Sequence, residues 1–432
     1  MSLLNDMEAT LVSLAAKHRL RELSHYLKAS FVHNDYLGLS EHPHVIEAGI
    51  KALKEQGAGS RGSRLLGGNS KAFENAEEKI AEFFGAPAAL WFSTGYLANL
   101  GLVRALGERA DRIYSDEKNH ASLIDAISLT KNQKTIVPHF AWDSAERITS
   151  KSLLVTETLF SMDGDILEWG KLKPIADKTG AFVVLDEAHA AGIFPLDGRG
   201  FHSLPTITGP SPLPTNLPHH TNEVAANPPP RAGDSAASLP PHPSFMARHE
   251  VPKRDADWER LAVVITFGKA FGCAGACVLG SEKLKRFLIN TARSFIYSTA
   301  PPPAIPEMVV AATQVIQQSP QLRQELWRRA SWVRERFRGL QGTQNPPLPQ
   351  EKSEWEKRSP IIPFLIPGDD SALLFAQNMR HSGFELRAIR YPTVAPGSER
   401  LRITIHLGVS WEQTRAMAEE AVKQWKAFSS SE

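Results

Sequence analysis

The segment FVVLDEAH, residues 182–189, determines how the rest of the chain is interpreted. Its first four residues form a continuous apolar run, which is typical of a strand covered on both faces of a parallel sheet. The run ends at Asp186, so a carboxylate directly follows a buried strand. In open α/β sheets, ligands bind beyond the carboxyl ends of the strands. The segment therefore predicts an α/β fold with a functional site at that edge of the sheet.

Apolar runs of the same kind recur along the chain. They predict strands at Ala88–Phe92, Ser152–Thr156, Ala181–Leu185 and Leu261–Ile265. Apolar residues at helical spacing lie between them, and this alternation predicts a mostly parallel sheet flanked by helices.

The pattern changes after Pro301. A long helix is followed by predicted strands at Ile361–Ile366 and Leu401–Ile405, which indicates a smaller α+β domain. Ser410 and Gln413 form a capping box at the start of the last helix.

A proline-rich stretch interrupts the first domain at Phe201–Arg254. It holds 12 of the 30 prolines and almost no periodic apolar residues. Such a composition favours a disordered or loosely held insertion, either a passive surface loop or a docking segment for a partner.

Composition and charge exclude several classes of protein. The chain has 432 residues, and 49 Lys and Arg against 47 Asp and Glu give a net charge of +2. Because that balance leaves little positive charge for phosphates, we expect no nucleic-acid partner. No apolar run is long enough to cross a membrane, and the two cysteines, Cys273 and Cys277, suit neither a disulfide scaffold nor a zinc site. We therefore expect a cytoplasmic protein without a metal.

Reactive side chains follow four of the predicted strands. They are Ser93 to Tyr96, Glu157 with Ser161, Asp186 with His189, and Thr266 with Lys269. Because parallel strands end at one edge of a sheet, we expect a single cleft to hold them all.

Lys269 and Asp186 each allow two interpretations. Lys269 lies among Gly268, Phe271 and Gly272, where a desolvated amine would be nucleophilic enough to form a Schiff base; the alternative is a lysine that reaches solvent. Asp186 can pair with a buried cation such as a protonated pyridine, or it can cap the following helix.

A phosphate site is predicted where the first strand meets its helix. The residues from Ser93 to Tyr96 join the strand to a helix that begins near Leu97, so free N–H groups and the helix dipole would face a phosphate. Thr266 adds a hydroxyl group. His120, at the start of a helix, is ambiguous on its own.

Together these residues resemble the α-oxoamine synthases, which are pyridoxal-phosphate enzymes of fold type I. The similarity covers NDYLGL (34–39), GSRLLGGN (62–69), FSTGY (92–96), NHAS (119–122), FSMDGD (160–165), DEAH (186–189), TFGK (266–269) and residues 390–397. The resemblance implies a large cofactor-binding domain with a seven-stranded sheet over residues 33–299. It also implies a small domain made of residues 1–32 and 300–432.

The resemblance also implies a role for each matching residue. Lys269 would bind the cofactor aldehyde covalently, Asp186 would pair with the pyridine nitrogen, His189 and Ser161 would contact the ring oxygen, and His120 would stack on the ring. Gly95, Tyr96 and Thr266 would hold the phosphate, with Thr299 reaching across a homodimer interface. Arg390 and Arg402 would bind a substrate carboxylate, Thr393 the amino acid, and Asn34 the site of the partner subunit. An N-terminal substrate arginine would be Arg19 or Arg21.

The implied reaction is the decarboxylative condensation of an amino acid with an acyl thioester. Residues 389–394 and 295–302 favour the subgroup that uses L-alanine and a pimeloyl thioester in the biotin pathway. Glycine-using and serine-using members of the family remain alternatives, as does an ordinary aminotransferase. A relative without a cofactor that binds partners through its proline-rich segment is a further alternative.

Overall fold

The computed structural model describes residues 2–429 except 18, 22, 24, 26, 204–257, 341–347 and 349–354. Its helices are α1 (Leu3–Ala16), α2 (Pro43–Gln56), α3 (Lys71–Phe84), α4 (Gly95–Gly107), α5 (Ala121–Ser128), α6 (Trp169–Thr179), α7 (Glu282–Thr291), α8 (Arg293–Ile296), α9 (Ala304–Gln318), α10 (Pro320–Arg338), α11 (Asp369–His381) and α12 (Trp411–Ser429).

The strands fall into two sheets. The large sheet contains β1 (Ala88–Phe92), β2 (Arg112–Asp116), β3 (Gln133–Val137), β4 (Ser152–Glu157), β5 (Phe182–Asp186), β6 (Leu261–Thr266) and β7 (Ala276–Gly280). The small sheet contains β8 (Ile361–Leu365), β9 (Arg387–Ile389) and β10 (Arg400–Thr404).

The large sheet has the order β1-β7-β6-β5-β4-β2-β3. Strand β7 runs antiparallel to β1 and β6, and the other neighbours are parallel. The predicted fold class, an α/β fold with a mostly parallel seven-stranded sheet and flanking helices, is confirmed. Each strand predicted from the sequence lies within one residue of an observed strand at both ends. Strands β2, β3, β7 and β9 were not predicted.

The sheet has an apolar core on each face. Side chains alternate along a strand, so Leu90 and Phe92 of β1 belong to one core, whereas Ala89 and Trp91 belong to the other. Both cores continue through β4, β5 and β6, whose residues are almost all buried. This burial on both faces explains why these strands have continuous apolar sequences.

The N-terminal segment around Phe31 is hydrogen-bonded to the small sheet and to the residues next to it. Phe31 N–H donates to Glu385 O (2.9 Å), and Thr404 N–H donates to Phe31 O (2.8 Å). The last helix begins as expected, because Ser410 N–H donates to Gln413 Oε1 (2.9 Å) and Gln413 N–H donates to Ser410 Oγ (3.1 Å). The domain boundaries at residues 32 and 299 stay a prediction. Within the described residues, no helix combines the length and the hydropathy of a membrane span.

The proline-rich insertion, predicted at Phe201–Arg254, lies outside the described residues from position 204 onward. Its two flanks meet. The ring centroids of His202 and Trp258 are 5.3 Å apart, and Phe201 stacks on Phe194 at 5.2 Å. His202 N–H also donates to Glu187 Oε1 (2.8 Å). The chain therefore leaves and re-enters the fold at one place.

We expect the fold to tolerate replacement of residues 204–257 by a linker of about eight Gly and Ser residues. The flanks are already adjacent, and loop closure changes by only about 0.6 kcal/mol per doubling of length. The thermal unfolding midpoint should stay within about 3 °C of the parent value. Phe201→Ala in the shortened chain is the control, and it should lower the midpoint because it removes a buried ring. A collapse of the midpoint from the linker alone would show that the replaced segment is structural.

Candidate active site

Lys269 lies in a turn directly after β6. The turn is closed by Phe267 N–H to Gly275 O (3.0 Å), Cys273 N–H to Phe267 O (2.8 Å) and Gly272 N–H to Lys269 O (2.9 Å). Gly272 has a φ of 63°, and a Cβ there would collide with the backbone at Ser40, so only glycine fits. The turn therefore places the lysine amine at the carboxyl edge of the sheet.

Burial lowers the pKa of Lys269 to about 8, although Asp186 and Glu157 act in the opposite direction. Arg402 acts in the same direction as burial, so the charged groups that influence the amine are Asp186, Glu157 and Arg402. Of the two interpretations of Lys269, the structure supports the desolvated amine.

Asp186 and Glu157 end two adjacent strands in register. Asp186 Oδ1 accepts a hydrogen bond from Ala188 N–H (2.9 Å), and Oδ2 accepts one from Asn99 Nδ2 (2.7 Å). Glu157 Oε1 accepts from His120 N–H (2.6 Å). Burial, reinforced by the charge of Asp186, raises the pKa of Glu157 well above its usual range. The pair thus places one carboxylate and one readily protonated carboxyl group beside Lys269.

His189 is connected to Arg402 through Tyr36. Tyr36 Oη lies 2.7 Å from His189 Nδ1 and 3.4 Å from Asn34 Oδ1, and Arg402 Nη2 donates to Asn34 Oδ1 (3.0 Å). Burial raises the pKa of Tyr36 to about 12 against the opposing effect of Arg402, so the phenol stays neutral. Burial also holds the pKa of His189 well below its usual range, with Lys269 and Arg402 adding to the effect.

The start of α4 lies where the phosphate site is predicted. Thr94 Oγ1 caps the helix by accepting from Leu97 N–H (3.2 Å). A Cβ at Gly95 would collide with the Thr266 methyl group, so the absence of a side chain leaves a cradle between α4 and the end of β6. The first N–H groups of a helix have no partner within the helix, and those of Gly95 and Tyr96 are of this kind. The Tyr96 hydroxyl group donates to Asp125.

Other predicted residues lie at varying distances from this centre. Thr299 is near the cradle, because Ser93 Oγ donates to Thr299 O (3.5 Å) within the same chain. Asn34 contacts Arg402 of its own chain, and its role at the site of the partner subunit stays a prediction. Arg390 forms an ion pair with Asp369 (3.7 Å), and Thr393 is exposed in the turn that follows. Arg19 lies over the Tyr391 ring at 4.6 Å.

A turn at residues 160–165 connects the two sheets. The Ser161 carbonyl group accepts a hydrogen bond from Arg402 Nε, and Asp163 pairs with Arg400 of the small sheet. On the other side, Lys118 pairs with Asp163 (2.8 Å). The turn therefore sets the position of Arg402 relative to the large sheet.

Comparison with known proteins identifies the family. The model for aminotransferase class I and II matches residues 28–420. The 8-amino-7-oxononanoate synthase of Methylococcus capsulatus is 34% identical over 397 residues, covering 91% of this chain and 88% of that protein. The enzyme of the same name from Chromohalobacter salexigens is 34% identical over 381 residues, covering 87% and 83%. The chain belongs to the α-oxoamine synthases.

Solved structures share the fold of this α-oxoamine synthase. Serine palmitoyltransferase of Sphingomonas wittichii superposes with a TM-score of 0.77 at 22% identity, covering 98% of this chain and 99% of that chain. The 8-amino-7-oxononanoate synthase of Francisella tularensis gives 0.66 at 23% identity, covering 92% and 98%.

Membership of this family makes the protein a pyridoxal-phosphate enzyme, and the site fits that cofactor. Gly95 leaves the cradle that a phosphate needs, and Lys269 supplies an amine with a lowered pKa. Asp186 is a buried carboxylate that suits a charged ring nitrogen. The donor set therefore matches a phosphate, an aldehyde and a pyridine.

No role was predicted for Tyr36, Asn99 or Ser122. Asn99 donates to Asp186 and Ser122, and Tyr36 contacts His189. The position of Asn99 one turn beyond Gly95 on a helix was the only available signal, since it places a polar side chain on the same helical face.

His139 supports the turn at residues 160–165. Its Nδ1 lies 2.8 Å from Asp116 Oδ1, and its Nε2 lies 2.5 Å from Asp165 Oδ2. Burial lowers the pKa of His139, but the hydrogen bonds to Asp116 and Asp165 outweigh burial and raise the pKa above its ordinary value.

Because the folded-state pKa of His139 is raised, its charged form contributes stability below about pH 6.5, and that contribution is lost as the pH rises through the folded-state pKa. We expect His139→Gln to lower the thermal unfolding midpoint by a few degrees near about pH 6 and by less near about pH 9. His381→Gln, at an exposed position on α11, is the control. An equal loss at both pH values would mean that His139 acts by packing alone.

Proposed function

We propose that the enzyme condenses L-alanine with a pimeloyl thioester to give 8-amino-7-oxononanoate, carbon dioxide and a free thiol, as in biotin biosynthesis. The observation that carries this proposal is an amine at the end of β6 whose pKa is lowered to about 8 by burial, against the opposing effect of Asp186 and Glu157. The names of the relatives at 34% identity support the choice of substrates.

Lys269 moves a proton in this proposal. A group that exchanges protons near neutral pH works best with a pKa close to the working pH. The Nζ atom of Lys269 meets that condition, because burial has brought its pKa down to about 8. It can take the α-proton of the amino acid and return a proton to the product. When bound, pyridoxal phosphate supplies the aldehyde that takes up the amino group and a charged ring that accepts the electron pair.

Arg402 binds a substrate carboxylate in this proposal. Its Nη1 and Nη2 atoms donate to Thr404 Oγ1 (2.7 Å) and Asn34 Oδ1 (3.0 Å), and Nε donates to Ser161 O. These bonds fix the plane of the guanidinium, and a fixed guanidinium is suited to bidentate binding of a carboxylate. Arg390 and Thr393 are proposed as additional contacts for the substrates.

Three further residues complete the proposed site. His120 stacks on the cofactor ring, and Ser161 and His189 contact its oxygen. We also propose that the enzyme is a cytoplasmic homodimer in which Thr299 reaches the phosphate of the partner subunit. Within one chain Thr299 lies beside Ser93, directly after β1; the contact across the dimer interface rests on the family resemblance.

The other family reactions differ in their products. A condensing enzyme that uses glycine or serine with another acyl-CoA releases thiol as well, whereas an aminotransferase converts alanine to pyruvate without releasing thiol. A panel of alanine, glycine and serine against pimeloyl and longer acyl thioesters therefore separates them.

We expect thiol and carbon dioxide to be released in equal amounts with alanine and a pimeloyl thioester, at least about tenfold faster than with glycine or serine. Lys269→Ala should abolish turnover, because it removes the amine that takes and returns the proton, while the thermal unfolding midpoint stays near that of the parent. Lys283→Ala, at an exposed position on α7, should behave like the parent. Preference for glycine or serine would refute the proposed substrate, and pyruvate without thiol would refute condensation.

A further inference from the structure

A chain of hydrogen bonds leads from Asp186 to His120. Asn99, on α4, has only 1% of its surface exposed. Its Nδ2 lies 2.7 Å from Asp186 Oδ2 and 2.9 Å from Ser122 Oγ. Ser122 Oγ lies 2.9 Å from His120 Nδ1. Three elements of the fold, β5, α4 and α5, are thus joined by polar side chains at one edge of the sheet.

The carboxylate of Asp186 determines which atoms donate and which accept along this chain of hydrogen bonds. An ionised carboxylate only accepts hydrogen bonds, so the side of the Asn99 amide that faces it has to be the NH2 group. The same NH2 group has a second hydrogen, which it donates to Ser122 Oγ. Turning the amide over would place two acceptor oxygens against each other in a buried site, which is costly.

Ser122 in turn acts as a donor to His120. Its hydroxyl oxygen accepts from Asn99, so its own hydrogen is available for His120 Nδ1. The Ser122 backbone N–H also donates to His120 Nδ1 (3.2 Å). Because Nδ1 accepts from two donors, it carries no hydrogen, and the hydrogen of the neutral ring is on Nε2.

The rest of the environment of His120 agrees with a neutral ring. Partial burial lowers the pKa of His120 and Lys269 lowers it further, whereas Asp186 and Asp125 oppose them. His120 N–H donates to Glu157 Oε1, which ties the backbone of His120 to the end of β4. A helix cap by His120 alone would need only the contact to Ser122 N–H. The bonds from Asn99 to Asp186 and to Ser122 are additional to such a cap.

We propose that Asn99 and Ser122 are positioning residues that transmit the charge of Asp186 to His120 and so fix its tautomer and ring orientation. This inference rests on the proposed function, because the role of His120 at the cofactor is part of that proposal. Asp186, the carboxylate that would pair with the ring nitrogen, would then also orient the histidine that would stack on the ring.

Ser122→Ala tests this proposal with the least disturbance of the fold, and Asn99→Leu is the second variant because it also deprives buried Asp186 of a donor. The matched control is Ser128→Ala on the same helix, whose hydroxyl group donates to Asp125 O (2.7 Å). The titration of His120 is followed by 15N NMR of histidine-labelled protein without cofactor, and His120→Gln assigns the signal.

In the parent we expect His120 Nδ1 to be unprotonated over the neutral range. In Ser122→Ala the titration midpoint of His120 should rise, because the hydroxyl donor that favours the neutral ring is gone. Asn99→Leu should raise it in the same direction, and Ser128→Ala should not move it. In the cofactor-loaded enzyme, Ser122→Ala should lower kcat/KM about tenfold, as expected for one lost hydrogen bond. It should also move the acidic limb of the pH profile upward.

An unchanged titration of His120 in both Ser122→Ala and Asn99→Leu would overturn the proposal. So would a proton found on Nδ1 in the parent protein. These results are independent of the substrate panel, because they are obtained without cofactor or substrate. Failure of the condensation assay would refute the proposed function and leave the hydrogen-bond chain standing.

Discussion

The site depends on burying opposite charges together at the carboxyl edge of the large sheet. Asp186 and Glu157 end adjacent strands in register, and Lys269 follows the next strand along. Neither carboxyl group is more than 5% exposed, so each would be costly without a partner. Asp186 accepts hydrogen bonds from Ala188 N–H and Asn99 Nδ2. Burial raises the pKa of Glu157, which favours its neutral form. Burial also lowers the pKa of the Lys269 amine.

These shifts make the cluster suitable for a cofactor that carries its own charges. A lysine with a pKa near 8 is partly neutral at physiological pH, which is the nucleophilic form. Asp186 meanwhile remains available to a cationic ring. On a polar surface the same cluster would lose these pKa shifts, because solvent would screen the charges and restore the ordinary pKa values. The apolar strands around it are therefore part of the chemistry as well as of the core.

The sequence predicted the central strands and the residues at their ends, since each buried strand is an apolar run followed by a reactive side chain. It did not predict β3, whose residues are mostly exposed, or β2, which begins with Arg112 and ends with Asp116. Contacts between residues that are distant in sequence could not be predicted either. Asn99 and Asp186 are 87 residues apart, and Tyr36 and His189 are 153 apart, so no local spacing indicates that they meet. Such partners depend on the topology of the sheet.

That topology also explains how a long proline-rich stretch can lie between Asp186 and Lys269. Strands β5 and β6 are parallel neighbours, with Asp186 opposite Val264, so the hydrogen bonds of the sheet fix both strand ends whatever connects them. Glu187, next to Asp186, accepts a hydrogen bond from His202, and His202 packs on Trp258 on the return path. The connection is thus anchored at the point where it leaves the core. Because the anchor lies between the insertion and Asp186, changes in the length of the inserted segment need not reach the carboxylate.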